Sequence, residues 1–212
     1  MIAPPERSKE RDDAIDALLP NVPFDGWTWR ALRAGLRAAG GDPRDAEILF
    51  PGGATDMIEA YCDLADRRME LGAAGLDLAA MRVPARVRAV ITLRLAQNRP
   101  HKEAIRRAMA ILAMPGNARL AACVTARTVD AIWHAAGDRA ADWSWYSKRA
   151  ILSGVYVATV LYWLRDQGED DTATLAFLDR RLAGVGRITR VRRRIEAGLN
   201  RVRPPGFGGA EA

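Results

Sequence analysis

An uncharged run, Ala150 to Leu164, constrains the fold of this chain more than any other segment. It contains no proline and is too long for an ordinary strand, so we expect one helix that is apolar on every side. A helix that crosses a bilayer needs about 20 apolar residues, and this run is shorter. The helix is therefore expected to be buried, either in protein or around another apolar molecule.

Two interpretations of this helix remain open. In the first, it is the central helix of an ordinary core. In the second, it walls a cavity for a long apolar ligand, and the two bases before the run lie at the mouth. Asp142 is the expected N-cap, and a helix start beside two bases suits an anionic head group. Small Gly154 and Ala158 would let a neighbouring helix or a lipid tail come close. The second interpretation assigns lipid binding to Lys148, Arg149, Leu152, Val155, Tyr156 and Thr159.

Composition sets broad limits on the function. At 212 residues one domain of ordinary size is expected, and the net charge of +6 is compatible with nucleic acid, an anionic membrane or an acidic partner. Cys62 and Cys123 stand alone and the N-terminus lacks a signal-peptide pattern, so we expect a reducing cytoplasm and two buried thiols. His101 and His134 lie far apart and near no cysteine pair, so we expect no metal or other cofactor.

The N-terminal region is predicted to hold three short helices with a glycine turn between the second and the third. The predicted ranges are Glu6–Leu19, then Trp27–Ala39 with Thr28 as a possible cap, then a short helix with Asp42 as N-cap and Pro43 at its first position. A fourth helix follows from Thr55 to about Leu71. This is helix-turn-helix spacing, and proteins of the TetR repressor type share the arrangement. Prolines punctuate further helices and no strand is expected, so the predicted class is all-α.

A ligand-sensing repressor is the alternative function that this pattern suggests. The third helix would then read the major groove of DNA. It carries Asp42, Asp45 and Glu47 against the single base Arg44, which is the wrong sign for a surface that meets phosphates. Bases do lie on the second helix, at Arg30, Arg33 and Arg37, but we expect no nucleic-acid partner.

The C-terminal stretch is predicted to form a basic amphipathic helix. Apolar residues recur every three or four positions from Leu182 to Val202, and arginines surround them. Such helices lie in membrane interfaces, where anionic lipid contributes about 1 kcal/mol per nearby base. Docking on the protein or at a dimer seam remains an equal alternative. The bases assigned to membrane binding are Arg187, Arg190, Arg193 and Arg194.

Several motifs between Ile111 and Asp179 resemble one known family. They are ILAMPGN from Ile111, VDAIWHAAGD from Val129, DWSWYSKRA from Asp142 and AFLDRR from Ala176. Together and in this order they are similar to the ubiquinone-biosynthesis accessory family Coq-nine. The resemblance implies a TetR-like, dimeric, non-enzymatic protein that holds isoprenoid quinone intermediates or phospholipid. It also implies presentation of these intermediates to the demethoxyubiquinone hydroxylase, at the inner membrane as a peripheral cytoplasmic protein.

The resemblance also carries residue roles onto matching positions. It implies a hydroxylase-binding patch made of Met114, Pro115, Asn117, Asp142, Trp145 and Tyr146, and a lipid-head-group role for Arg149. It implies three parts of the chain: residues 1–54 like a helix-turn-helix, residues 55–186 for lipid binding and dimerisation, and residues 187–212 as basic helix and disordered tail. From the residues alone, Trp145 and Tyr146 could equally be core packing.

An enzyme is the second rival class. The sequence contains no GxSxG motif, Walker loop, paired Cys/His arrangement or metal-spaced cluster. Asp170 and Asp171 follow a glycine in an expected turn, so we interpret them as charges that start a helix rather than as a catalytic dyad. No catalytic residue is therefore predicted.

Overall fold

The computed structural model describes residues 3–137, 144–168 and 170–184, with the backbone alone for 144–147. Within these ranges all regular structure is helical, which confirms the all-α prediction. The helices are α1 (Lys9–Leu18), α2 (Val22–Asp25), α3 (Trp29–Ala38), α4 (Asp45–Leu49), α5 (Ala54–Ala73), α6 (Val83–Asn98), α7 (Lys102–Leu112), α8 (Ala118–Ala135), α9 (Ser144–Arg165) and α10 (172–184).

Side-chain hydrogen bonds cap a few helix starts among the described residues, α1 and α3 included. The hydroxyl of Thr28 accepts a hydrogen bond from the Ala31 amide at 3.2 Å, which confirms Thr28 as the cap of α3. The predicted start of the third helix was wrong. The carboxylate of Asp42 accepts from the Arg44 amide at 2.9 Å and so closes a turn, and α4 begins only at Asp45.

Two prolines begin short helices where the sequence predicted only an end. Pro20 and Pro23 each occupy the first turn of a new helical segment, the 3-10 turn Leu19–Asn21 and α2. Proline is tolerated in a first turn because the amide it lacks would have had no partner there. The chain leaves α2 only at Gly26, where φ is +73°.

The first three long elements form a tight N-terminal unit. Helices α1 and α3 cross so closely at Gly35 that a Cβ there would lie 2.1 Å from the carbonyl oxygen of Ala17. The Arg11 guanidinium lies 4.3 Å from the centre of the buried Phe50 ring, pairs with Asp56 at 2.6 Å and donates to the Leu49 carbonyl. Arg11 therefore ties α1 to the start of α5.

The remaining helices pack around α5. Its neighbours are α1, α6 and α8, and α9 packs mainly on α8. Ion pairs from Arg67 to Asp12 and from Arg68 to Asp16, each 2.6 Å, join α5 to α1. One buried core includes residues of the N-terminal unit and of the helices packed around α5, from Ala14 to Leu178.

Helix α9 has one buried face and one exposed face, so the expectation of a helix buried on all sides is not met within one chain. Leu152, Val155, Thr159 and Trp163 are buried. The side chains of Ile151 and Leu161 are 41% and 47% exposed. The difference arises because α9 lies at the edge of the bundle and contacts its neighbours on one side.

Among the described residues, no single helix combines the length and hydropathy that crossing a membrane requires. One pair, Val83–Leu112 with Pro115–Ala135, reaches those limits only when taken together, and it is bent by 96°. The predicted basic helix at 187–202 lies outside the described residues.

Candidate functional site

A small cavity lies between α5, α6, α7, α8 and α9. Its volume is about 80 Å³. Polar and apolar side chains both line it. The polar ones are Tyr61, Cys62, Arg94, Asn98, Thr125, Thr128 and Tyr156, and the apolar ones are Leu95, Ile105, Ala108, Met109, Leu112, Val124, Val157, Val160 and Trp163.

Buried polar groups cluster beside the cavity in two hydrogen-bonded sets. The Tyr61 hydroxyl donates to Asn98 Oδ1 at 3.0 Å, and the Thr128 hydroxyl donates to Asp66 Oδ2 at 2.9 Å. Arg94 Nη2 lies 2.9 Å from Asp66 Oδ1 in an ion pair, and the whole Arg94 residue is 3% exposed. The charge of Arg94 in the cavity lining is therefore balanced by the neighbouring Asp66.

Burial governs the protonation of this cluster. It raises the pKa of Asp66 to about 6, against the neighbouring Arg94, which lowers it. It also raises the pKa of the Cys62 thiol to about 12 and the pKa of Tyr61 well above its usual value. Since a thiol and a phenol with such pKa values stay neutral at pH 7, these two groups supply hydrogen bonds and packing rather than a nucleophile.

Trp163 is one of the apolar side chains that line the cavity. Its ring is buried, and its indole N–H donates to Asp171 Oδ1 at 3.0 Å. Asp171 is buried, pairs with Arg99 at 2.6 Å and has φ of +54°, so it holds a backbone conformation that L-residues seldom adopt. Asp170 caps the next helix by accepting from the Thr172 amide at 3.1 Å. Asp170 therefore has its predicted helix-starting role, and Asp171 additionally anchors Trp163.

The residues predicted to bind lipid separate into two groups. Only Tyr156 lines the cavity. Leu152, Val155 and Thr159 are buried elsewhere in the α9 interface, and the Thr159 hydroxyl donates to the Val155 carbonyl of its own helix at 2.7 Å. Two of the predicted residues, Lys148 and Arg149, lie one to two turns before Tyr156 and outside the cavity lining. Arg149 forms an ion pair with Asp130 and so joins α9 to α8.

The predicted hydroxylase-binding residues lie at two separate places. Met114 is 56% exposed, and Pro115 beside it is also exposed, at the corner before α8. The Asn117 side chain donates to the Ile111 carbonyl at 2.8 Å and holds this corner. Trp145 and Tyr146 belong to the first turn of α9, where only the backbone is described, and Asp142 lies outside the described residues.

Helix α8 separates these two places. The Arg149–Asp130 pair and the shared lining by Val124 and Val157 show that α8 and α9 run antiparallel. The first turn of α9 therefore lies near the end of α8, whereas Met114 lies before its start. The 18 residues of α8 span roughly 27 Å at 1.5 Å per residue. The structure does not bring the two halves of this set into one patch.

An open groove follows the outer face of α9. Its volume is about 760 Å³, and α9 and α10 line it with Ala158, Leu161, Tyr162, Arg165, Phe177 and Arg181 among others. The Tyr162 and Phe177 rings stack with their centres 4.5 Å apart, and the Arg181 guanidinium lies 4.9 Å from the Phe177 ring. The groove therefore combines apolar and aromatic side chains with the bases Arg165 and Arg181 and the acid Asp166.

The α3–α4 pair offers little for DNA binding. Helix α4 has only five residues, two of them the acids Asp45 and Glu47. On α3, Arg33 pairs with Glu47, and Arg30 lies 3.3 Å from Asp25. Because two of the three bases of α3 are already paired with acids, Arg37 is the remaining base of this helix for contacts with phosphates.

The cavity residues that sequence reasoning missed lie on all five surrounding helices, and the charged one among them is Arg94 on α6. Arg94 follows Val90 and Ile91 by four and three residues, so it shares the buried face of α6 with them. A base on the apolar face of a helix is the signal that could have identified it. The described residues contain no group of three or more His, Cys, Asp or Glu side chains that could hold a metal ion.

Comparison with known proteins identifies the family. Residues 118–189 match the COQ9 family model. The chain is 30% identical to the ubiquinone biosynthesis protein COQ9, mitochondrial, of Rattus norvegicus. The alignment has 175 residues and covers 79% of this chain and 56% of the rat protein. It is 29% identical to the human protein of the same name, over 79% of this chain and 55% of the relative. The predicted family resemblance is confirmed: the chain carries a COQ9 domain.

The rat and human relatives are longer than the stretch that they share with this chain. The chain spans a little more than half the length of the rat and human proteins that it matches. The Schizosaccharomyces pombe ubiquinone biosynthesis protein coq9 is 31% identical, over 79% of this chain and 66% of its own length. A TetR transcriptional regulator from Nitrosomonas europaea superimposes with a TM-score of 0.67 and 20% identity, over 83% of this chain and 97% of that one. That likeness confirms the TetR-like fold and carries no function.

Proposed function

We propose that this chain is a non-catalytic lipid-binding accessory protein of ubiquinone biosynthesis. It binds isoprenoid quinone intermediates at a membrane surface and presents them to the demethoxyubiquinone hydroxylase. The observation that carries this proposal is the COQ9 similarity, at about 30% identity over most of the chain, to proteins named for ubiquinone biosynthesis. The cavity beneath α9 supports it, because a lining of apolar side chains with a few polar groups suits a guest with a polar ring and an apolar body.

The cavity must widen when such a guest enters. Its volume of about 80 Å³ is roughly half that of a 150 Å³ cavity known to hold benzene. Met109 lines the cavity with an unbranched, adaptable side chain, and α9 packs at the edge of the bundle, so both can move at low cost. An isoprenoid tail needs further apolar surface, which the outer groove along α9 provides. A homodimer formed across this face would cover the groove.

The contact with the hydroxylase would use the exposed corner at Met114 and Pro115 and, separately, the first turn of α9. The exposed Met114 side chain would give a partner an apolar and adaptable contact. Two contact points about one helix length apart would also fix the orientation of the partner relative to the cavity. The basic helix predicted at 187–202 would hold the complex on anionic lipid.

Turnover on liposomes tests the proposal. Demethoxyubiquinone is embedded in liposomes that contain anionic lipid, and the hydroxylase is added with or without this chain. We expect a faster reaction with the chain present and a smaller effect for Met114→Ser, with Met81→Ser as the control because Met81 is also partly exposed but lies before α6. A reaction rate that is the same with and without the chain would contradict the accessory role.

A further inference from the structure

Arg94 has hydrogen-bond donors that the protein leaves unused. Its Nη2 lies 2.9 Å from Asp66 and 3.4 Å from the Cys62 carbonyl. Its Nε and Nη1 are fully buried and have no hydrogen-bond partner. The residue is 3% exposed and lines the cavity. Buried donors without a partner are rare because each loses its bonds to water without replacement.

A structural role alone does not account for these donors. Arg11 is the other deeply buried arginine of the described residues, and it places both terminal nitrogens on protein acceptors, the Leu49 carbonyl and Asp56. Only its Nε is left without a partner. Arg94 instead has two nitrogen donors, Nε and Nη1, without a protein acceptor at the cavity wall. This arrangement is expected of a residue that donates hydrogen bonds to a bound ligand.

The neighbours of Arg94 define the charge of that acceptor. Asp66, 2.9 Å from Nη2, already balances the guanidinium. A second anion would be repelled by the Asp66 carboxylate. The Tyr61 and Thr128 hydroxyls donate to Asn98 and Asp66, so they are already engaged. A neutral oxygen, such as a ring carbonyl or an ether, fits an unpartnered N–H group of Nε or Nη1 best.

We propose that Arg94 positions the guest by donating from Nε or Nη1 to a ring oxygen of a neutral, oxygen-substituted quinone or phenol. The inference rests on the proposed function and adds the residue and the chemical group that orient the ligand. The ring oxygen lies next to Arg94 on α6, and the rest of the guest contacts apolar side chains of the lining, among them Ile105, Met109 and Val124.

Two small probes separate the oxygen contact from the cavity itself. One is 2,3-dimethoxy-5-methyl-1,4-benzoquinone, which lacks a tail, and the other is tert-butylbenzene, which lacks oxygen. Binding is measured by calorimetry on the full chain, on Arg94→Lys and on Arg88→Lys. Lysine keeps the charge opposite Asp66 but lacks the planar fork of donors. Arg88 is the control because it lies on α6 as well, where it is partly exposed and pairs with Asp179.

We expect Arg94→Lys to bind the quinone about tenfold more weakly and tert-butylbenzene with unchanged affinity, whereas Arg88→Lys binds both as the parent does. If Arg94→Lys does not fold by far-UV circular dichroism, the double variant Arg94→Met with Asp66→Asn removes both charges and serves in its place. Unchanged quinone affinity in a folded Arg94 variant overturns the inference and leaves the proposed function standing.

Other outcomes also overturn the inference. Equal losses for both probes would mean that the substitution alters cavity shape rather than an oxygen contact. A crystal structure with the quinone bound and ordered water alone on Nε and Nη1 would exclude the contact directly. If neither probe binds the parent chain, the cavity is not a ligand site, and the proposed function fails together with the inference.

Discussion

Filling the cavity should abolish ligand binding without unfolding the protein. Ala108 is buried on α7 and lines the cavity, so Ala108→Leu directs three more carbons into it. Each carbon occupies roughly the share of a water molecule, about 30 Å³. Together they match the cavity of about 80 Å³. The substitution therefore replaces the space available to a guest with a side chain of the protein.

The expected stability change is small because two effects offset each other. Burying three carbons contributes about 2 kcal/mol at roughly 0.8 kcal/mol each. Imperfect fit in a packed core costs about 1–3 kcal/mol. The net change in the free energy of unfolding should lie within about 1 kcal/mol of zero. Thermal unfolding without ligand measures the effect of the substitution on stability separately from its effect on ligand binding.

The effect on the ligand is expected to be large. A ligand at 100 times its Kd stabilises the folded state by about 2.7 kcal/mol. For a chain of this size each kcal/mol raises Tm by roughly 2–4 °C. We therefore expect a quinone-induced rise of about 5–10 °C in the parent and none in Ala108→Leu. The control is Ala110→Leu, which adds the same carbons to an exposed position of α7. A rise in Ala108→Leu equal to that of the parent would refute the assignment of the cavity as the ligand site.

Three further predictions concern stability and the membrane. Gly35→Ala should lower the free energy of unfolding by more than about 3 kcal/mol in urea titration, because its Cβ would lie 2.1 Å from the Ala17 carbonyl oxygen; a loss below 1 kcal/mol would mean that α1 and α3 cross less closely. The pKa of Asp66 is about 6 when folded, above about 3.9 when unfolded, so its ionisation costs stability as pH rises from about 4 to about 6. Asp66→Asn should therefore remove this fall in stability with pH, while it also leaves the buried Arg94 charge without its partner. A pH profile parallel to that of the parent would show that Asp66 does not titrate there. Removing residues from Arg187 onward should reduce sedimentation with anionic liposomes, and equal sedimentation would assign that segment to protein contacts.

Local signals in the sequence predicted the N-terminal helices well. Thr28 caps α3 as expected, and Gly40 and Gly137 end α3 and α8 with φ of +80° and +77°. These features depend on a few neighbouring atoms, so the sequence contains what is needed to predict them. Pro20 and Pro23 were harder, because proline both ends one helix and begins another, and only the path of the chain decides between these outcomes.

The location of the cavity could not be predicted in the same way. The run in α9 is apolar on every side, so its periodicity cannot distinguish the cavity-lining Tyr156 from the exposed Leu161. On α6 the arginines occur on several faces, and whether Arg94 or Arg88 is buried depends on how α6 is rotated against α5 and α8. Rotation of a helix is set by packing among distant residues. The family motifs likewise predicted the family but not the distance between Met114 and the start of α9.

Mass spectrometry of organic extracts from the purified protein tests the central claim most directly. The account predicts isoprenoid quinones or their precursors at close to one per chain in the parent and in Ala110→Leu, and their loss from Ala108→Leu. An extract from the parent that matches that of an unrelated helical protein prepared in the same way would contradict it.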